Sequence, residues 1–200
     1  MAIDRTPVLK RCRSLGISPA VLGLTKKPSN RFKDVRPRGK KLSEYGMQLK
    51  EKQKAKFVYG MLEKQFYHLY LRAIKMKGVA GSNLLQLLER RLDNVVFRLA
   101  FARTRAEARQ LVSHGHITVN GKKVDIPSYE VKVDDVIVLR EKSRSSSRIT
   151  QIQEATSYRL MPSWLSLDDS RQKGTVTALP TREDIDFEID ERMIIELFSK

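Results

Sequence analysis

The stretch from Arg103 to Ile126 constrains the fold more than any other part of the chain. Thr104 and Glu107 form T-x-x-E, the spacing at which a hydroxyl and a carboxylate cap the first turn of a helix. The helix is predicted over Arg105–Ser113 and stops at His114–Gly115, where glycine accepts a left-handed backbone. Ile117 and Val119 then alternate with His116, Thr118 and Asn120 as a strand. Asn120–Gly121 is a two-residue hairpin signal, and Lys122–Ile126 reads as the return strand. Val131, Val133 and Val136–Leu139 supply further strand, with Asp134–Asp135 as a turn. Helices feeding a hairpin and more strands predict an α+β chain: a mainly helical domain, a small module of two helices and an antiparallel sheet, and an extended basic N-terminal arm.

Upstream, the pattern is helical from Ser43 to about Arg91. Ser43 caps a lysine-crowded helix that carries Tyr45, Lys50 and Lys54. A second helix starts near Leu62, with an apolar stripe of Phe66, Leu69, Tyr70, Ala73 and Ile74, and Gly78 ends it. His68 lies at the edge of that stripe and reads as a packing residue. Ser82 or Asn83 caps a third helix rich in leucine, and Asp93 caps its continuation through Val95, Val96 and Leu99. Ser143–Ser147 reads as a flexible connection, followed by Met161-Pro162-Ser163-Trp164 and a loop near Gly174. Asp190 caps a final amphipathic stretch, and no internal repeat is visible.

Residues 1–41 hold four prolines and three glycines with no sustained period, apart from a short helix at Val8–Ser14 behind Thr6 and Pro7. They carry 12 basic residues against Asp4 and Asp34 alone. Such a segment buries too little to offset its chain entropy and is expected to order on a polyanion. The candidate contacts are Arg5, Lys10, Arg11 and Arg13, then Lys26, Lys27, Arg31 and Arg36, then Arg38, Lys40 and Lys41. The expected domains are 1–41 as arm, 42–91 as helical domain, and 92–175 as a module with its core in 92–155.

The chain's net charge of +16 is loaded forward, with +12 in residues 1–60 and −4 in residues 151–200. A field this polarised argues for a polyanionic partner rather than for a fold. One cysteine among 200 residues excludes a disulfide framework. No apolar run approaches the ~18 residues of a membrane span, and Met1–Lys10 lacks the apolar block of a secretory signal. The chain is therefore expected to be soluble and cytoplasmic. Phosphate-loop, dinucleotide and nucleophile-elbow motifs are missing. Cys12 sits among Lys10, Arg11 and Arg13, which would lower a thiol pKa, but the arm offers no pocket for a catalytic base. His114 and His116 have no third metal ligand nearby, so neither a metal nor a cofactor is expected. Arg105 and Arg109, one turn apart, would instead share a face beside Arg103, Lys122 and Lys123 as a cationic ridge. The alternative is that they pair with Glu107 or Asp93.

Four runs carry a resemblance: RLDNVVFRLAFARTRAEARQLVSHGHITVNGKKVDIPS (Arg91 to Ser128), KKLSEYGMQLKEKQKAKFVYG (Lys40 to Gly60), RTPVLKRCRSLG (Arg5 to Gly16) and GTVTALPTREDIDFEIDERMIIELFSK (Gly174 to Lys200). The first resembles the RNA-binding domain named after ribosomal protein S4. Together they resemble the bacterial-type small-subunit ribosomal protein S4 family over nearly the whole chain. The resemblance implies a structural ribosomal protein, not an enzyme. It would bind the 5′ domain of 16S ribosomal RNA early and nucleate 30S assembly. It would lie beside proteins S5 and S3 near the entrance of the messenger-RNA channel, and its S5 contact would influence decoding accuracy. The resemblance maps RNA contact onto Arg103, Thr104, Arg105, Arg109, His114, His116, Asn120, Lys122 and Lys123. It also implies that 92–175 is an RNA-binding domain and that 176–200 packs back on the helical domain 42–91 and completes it. Many members fold the N-terminal arm around zinc with four cysteines; only Cys12 stands here, which implies an arm without metal.

Overall fold

The structure, a computed structural model, describes residues 7–24, 42–144 and 146–199. Helix α1 spans Val8–Leu15, and a 3-10 turn follows at Pro19–Leu22. Then come α2 (Glu44–Val58), α3 (Glu63–Lys75), α4 (Ala80–Glu89), α5 (Leu92–Arg98) and α6 (Arg105–Ser113). Strands β1 (Ile117–Val119), β2 (Lys122–Lys123) and β3 (Val136–Leu139) are followed by α7 (Glu141–Arg144) and α8 (Ser147–Ala155). Strands β4 (Leu165–Leu167) and β5 (Lys173–Val176) precede α9 (Glu191–Ser199). The chain is thus helices plus one antiparallel sheet of order β2-β1-β3-β5-β4, an α+β fold.

Two apolar cores organise these elements. One gathers Leu15 and Ile17, Val58, Phe66, Leu84 and Leu88 from α1 to α4 and takes Ile185, Phe187, Ile189 and Ile194 from the C-terminal segment. The other gathers Leu92, Val96 and Leu99 of α5, Ala108 and Val112 of α6, Ile117 and Ile137 of the sheet, Ile149 and Ile152 of α8, and Trp164 and Val176. The C-terminal helix α9 packs on α2 and α4. Asp190 caps it, accepting from the backbone N–H of Arg192 (3.0 Å) and Met193 (3.3 Å).

Several expectations need correction. The reading of 1–41 as an arm that orders only on RNA fails for residues 7–24, because Leu15 and Ile17 are buried in the helical core. Cys12 is buried with them, and burial pushes its thiol up rather than down. His68 is exposed, not a packing residue. Asn83 does not cap its own helix, whose N-terminal boundary is Val79. Its side-chain N–H donates to the end of α3, reaching the carbonyl oxygens of Ala73, Met76 and Lys77. Of the expected flexible connection Ser143–Ser147, Ser143 and Arg144 lie in α7 and Ser147 opens α8, which Ile149 and Ile152 hold against the sheet core. Gly174 lies inside β5, where a Cβ would stand 2.4 Å from the Leu99 side chain, so a larger residue would have to displace that buried leucine. The return strand of the hairpin is two residues, not five.

Candidate nucleic-acid interface

Helix α6 and the hairpin form as the local signals dictate. The Thr104 hydroxyl accepts the N–H of Glu107 at 3.2 Å. Glu107 does not close the capping box on Thr104. Its carboxylate accepts instead from the backbone N–H of Arg103 at 2.9 Å, one residue upstream. Asn120 (φ 51°) and Gly121 (φ 78°) occupy the left-handed region that a tight I′-type hairpin requires. The hairpin pairs Val119 with Lys122 and Thr118 with Lys123 at the outer edge of the sheet. Lys122 and Lys123 are exposed there, the latter with only a loose contact to Asp125 at 3.4 Å.

Arg105 and Arg109 do not form the expected ridge. Arg105 is only 6% exposed. Its Nε donates to Asn94 Oδ1 and its Nη1 to the Val21 carbonyl, both at 2.8 Å. Its guanidinium lies over the Phe97 ring at 4.3 Å and the Tyr59 ring at 5.3 Å. Burial above all, with the nearby Arg98 charge, pulls its pKa below the ordinary guanidinium value. Arg109 donates from Nε and Nη2 to Asp93 at 2.9 and 2.7 Å. It also donates to the backbone carbonyls of Tyr59 and Gly60, just beyond the C-terminal end of α2, where a cation suits the helix dipole. Both arginines therefore fasten the sheet-bearing unit to the helical unit. The pairing of Arg109 with Asp93 is the alternative the sequence held open.

Beside them lies a buried polar knot. Glu89 is fully buried and accepts from Tyr59 Oη (2.6 Å), Asn94 Nδ2 (2.7 Å), and Arg98 Nε and Nη2 (3.1 and 2.9 Å). Arg98 reaches on to Asp186 at 2.9 Å, which ties in the C-terminal segment. Burial alone would raise Glu89, but the Arg98 guanidinium outweighs it and holds the carboxyl below the usual range. Burial, with the negative charge of Glu89 beside it, pushes the Tyr59 phenol well up.

The other candidates divide the same way. Asn120 is committed to the adjoining turn, donating to Asp135 at 2.8 Å and accepting from the Val136 N–H at 2.8 Å. Lys54 bonds Glu51 and the Glu188 carbonyl, and Arg11 bonds Gln53. Lys10, Arg13 and Tyr45 are exposed, and Lys50 is half-buried. Arg5, Lys26, Lys27, Arg31, Arg36, Arg38, Lys40 and Lys41 lie outside the described residues. His114, at the end of α6, is exposed, with its ring 6.2 Å from that of His116. His116 is half-buried against the Ser143 hydroxyl at 2.9 Å. Burial, with the positive charges of His114, Arg140 and Arg148, pulls His116 below the ordinary imidazole range. Among the described residues no group of acidic, histidine or cysteine side chains could hold a metal, and no helix is long and apolar enough to cross a membrane.

Among the described residues, the exposed basic side chains of this unit include Lys122 and Lys123 on the hairpin, His114, and Arg103, whose guanidinium also bonds Glu107. Sequence reasoning placed Arg140, Lys142, Arg144 and Arg148, on and around α7 and α8, in this same unit but did not count them among the candidate contacts. Three of those arginines stand four residues apart, a spacing that the serine-rich run between them obscured.

Comparison with known proteins meets this geometry. Residues 90–137 match the family profile described as S4 domain, and residues 4–89 match that described as ribosomal protein S4/S9 N-terminal domain. The small ribosomal subunit protein uS4 of Lachnospira eligens is 58% identical over 200 residues, covering all of both chains. That of Agathobacter rectalis is 53% identical over the same full span. That of Thermoanaerobacter pseudethanolicus is 62% identical over 161 residues, 80% of this chain and 77% of the relative. With residues 4–137 matched by the two profiles and identity above one half over the full length of two relatives, the chain belongs to the uS4 family of small ribosomal subunit proteins.

Proposed function

We propose that the chain is a structural component of the cytoplasmic small ribosomal subunit that clamps the 5′ domain of 16S ribosomal RNA early in 30S assembly and makes no covalent bond. The observation that carries this reading is the hairpin face. Lys122 and Lys123 follow an I′ turn inside the S4 domain and stay exposed, Lys123 meeting only Asp125 at 3.4 Å among the described residues, whereas carboxylates and carbonyls hold Arg98, Arg105 and Arg109. Each lysine or arginine that engages a phosphate releases condensed counterions, so log K falls with log salt by roughly 0.7–0.9 per contact. In folded RNA, backbone and shape outweigh base readout. A preformed cationic surface therefore fits the task better than a base-reading one.

Within this reading, the unit 42–91 with 176–200 and the unit 92–175 act as two bodies joined by the arginine seam. His114 and His116 flank the hairpin contacts, and Thr104 presents the α6 N-terminus. Lys10, Arg13, Tyr45 and Lys50 supply contacts from the helical side, joined by the basic residues of 25–41. Arg105, Arg109, Asn120, Lys54 and Arg11 are withdrawn from the contact set. Contact with S5 and S3, near the entrance of the messenger-RNA channel, and an influence on decoding accuracy through S5 complete the proposal. The test is co-sedimentation with small subunits in high salt, followed by cross-linking. Cross-links from the hairpin to the 5′ domain support the reading. Release of the intact chain from subunits, or cross-links confined to other RNA, contradict it.

A further inference from the structure

Glu107 is the one acid among the basic residues of the segment 103–109. Its side chain is 7% exposed, yet it lies beneath two guanidinium groups that are 54% and 55% exposed, those of Arg103 and Arg148. Oε2 accepts from the Arg103 backbone N–H (2.9 Å) and Arg103 Nε (3.1 Å). Oε1 accepts from Arg103 Nη2 (2.9 Å) and from Arg148 Nη2 (3.3 Å). Arg103 comes from the turn before α6 and Arg148 from the first turn of α8, so a single buried oxygen brings together side chains from two distant parts of the sequence.

Two cations on one acceptor repel each other, and one carboxylate neutralises only one of them. The group keeps a net charge of +1. Among the described residues, Arg103 Nη1 and Arg148 Nε and Nη1 take no protein acceptor, on side chains that are more than half exposed. Burial alone would raise the Glu107 carboxyl, but the hydrogen bonds and charge of Arg103 outweigh it and hold it below the usual range, so it stays ionised. Arg148 is among the positive charges that depress the His116 imidazole, after burial, His114 and Arg140.

We propose that Arg103 and Arg148, held side by side by the positioning residue Glu107, form a two-arginine clamp for an RNA phosphodiester. An anionic oxygen takes the place of the missing second carboxylate and brings the group to neutrality. The planar forks match phosphate geometry, and the buried carboxylate fixes one fork in advance, lowering the ordering cost of binding. The inference rests on the ribosomal-RNA reading above and extends it to a residue, Arg148, that lies outside the 90–137 match.

The experiment uses the full chain and a transcript of the 16S 5′ domain, titrated by filter binding across a potassium chloride series. Arg148→Gln is expected to lower the log–log salt slope by roughly 0.7–0.9, the loss of one phosphate contact. Arg148→Lys keeps the charge and therefore the slope, but loses the fork and binds several-fold more weakly. Glu107→Gln makes the surface one unit more positive. Simple charge counting predicts tighter binding for it, and the clamp predicts weaker. Thermal melts establish that each variant is folded, and if Glu107→Gln is not, the two Arg148 variants decide. Wild-type slope and affinity in both Arg148 variants, or tighter binding by folded Glu107→Gln, overturns the clamp while leaving the RNA reading intact. Failure of the unaltered chain to bind the transcript overturns both.

Discussion

Arg105 and Lys123 are both basic residues of one small module, and they do opposite work. Arg105 is walled in by Asn94, Val21, Phe97 and Tyr59 at the seam between the two cores, whereas Lys123 stands on the hairpin tip, 53% exposed. The seam uses its arginines as bolts, because each finds carbonyl, amide or carboxylate acceptors from elements far apart in sequence. The hairpin leaves its lysines exposed, because a two-residue turn at a sheet edge offers almost no acceptors. Net charge therefore does not locate a binding surface. The acceptors already within reach decide which cations are spent inside the protein and which are left for a partner.

The largest break in this contrast should come from the knot. Removing Arg98 strands the buried Glu89 charge, and removing Glu89 leaves Arg98 only the half-exposed Asp186, so Glu89→Gln or Arg98→Met should each cost about 3–5 kcal/mol in urea unfolding. A loss under 1 kcal/mol would show that the seam is wetter than the packing indicates. Arg105→Ala should cost about 2–3 kcal/mol of stability, from its charged hydrogen bonds and ring contacts. Its salt slope for RNA should stay at the wild-type value in the folded protein. A reduced slope with full stability would return Arg105 to the contact face.

Smaller effects follow from titration. Glu89 and Glu107 are both held below the usual carboxylate range when folded. Each therefore adds stability that is complete above the unfolded carboxylate pKa of about 4.3 and is lost as pH falls through the lower folded value. Melting temperatures should drop below that pH, and the drop should shallow in Glu89→Gln relative to that variant's own neutral value. An unchanged acid limb would contradict the depressed carboxyl. The smallest effect belongs to His116, whose imidazole is depressed in the free protein. A phosphate nearby should raise it, so RNA binding should tighten modestly as pH falls from 7.5 to about 6, and His116→Gln should lose that dependence. Identical pH profiles for the two proteins would remove His116 from the contact face.

How much of this was legible in the sequence follows the same divide. Helix α6 and its hairpin turn are written in local chemistry, a hydroxyl three residues before a carboxylate and an Asn-Gly pair, so their bounds are readable from the residues alone. The same holds for the Ser43 and Asp190 caps. Helices α7 and α8 were hidden because serine and arginine resemble linker composition. What holds α8 is the burial of Ile149 and Ile152 on a core assembled from distant segments. The fate of Arg105 was hidden for a related reason: Val21 lies 84 residues away along the chain. Helical spacing placed Arg105 and Arg109 on neighbouring turns but carried no information about the element that would cover them. Residues 7–24 were misjudged because Leu15 and Ile17 are too few to fold alone and suffice only once α2 to α4 supply the rest of the core.

The central claim is that the RNA face consists of the cations left over once the seam is built. Paired salt titrations of Lys122→Ala/Lys123→Ala and of Arg105→Ala against the 16S 5′-domain transcript test it most directly. The account predicts that the lysine pair keeps wild-type stability and loses roughly 0.7–0.9 of slope per residue, while Arg105→Ala loses stability and keeps its slope. A lysine pair that binds with the wild-type slope would contradict the account.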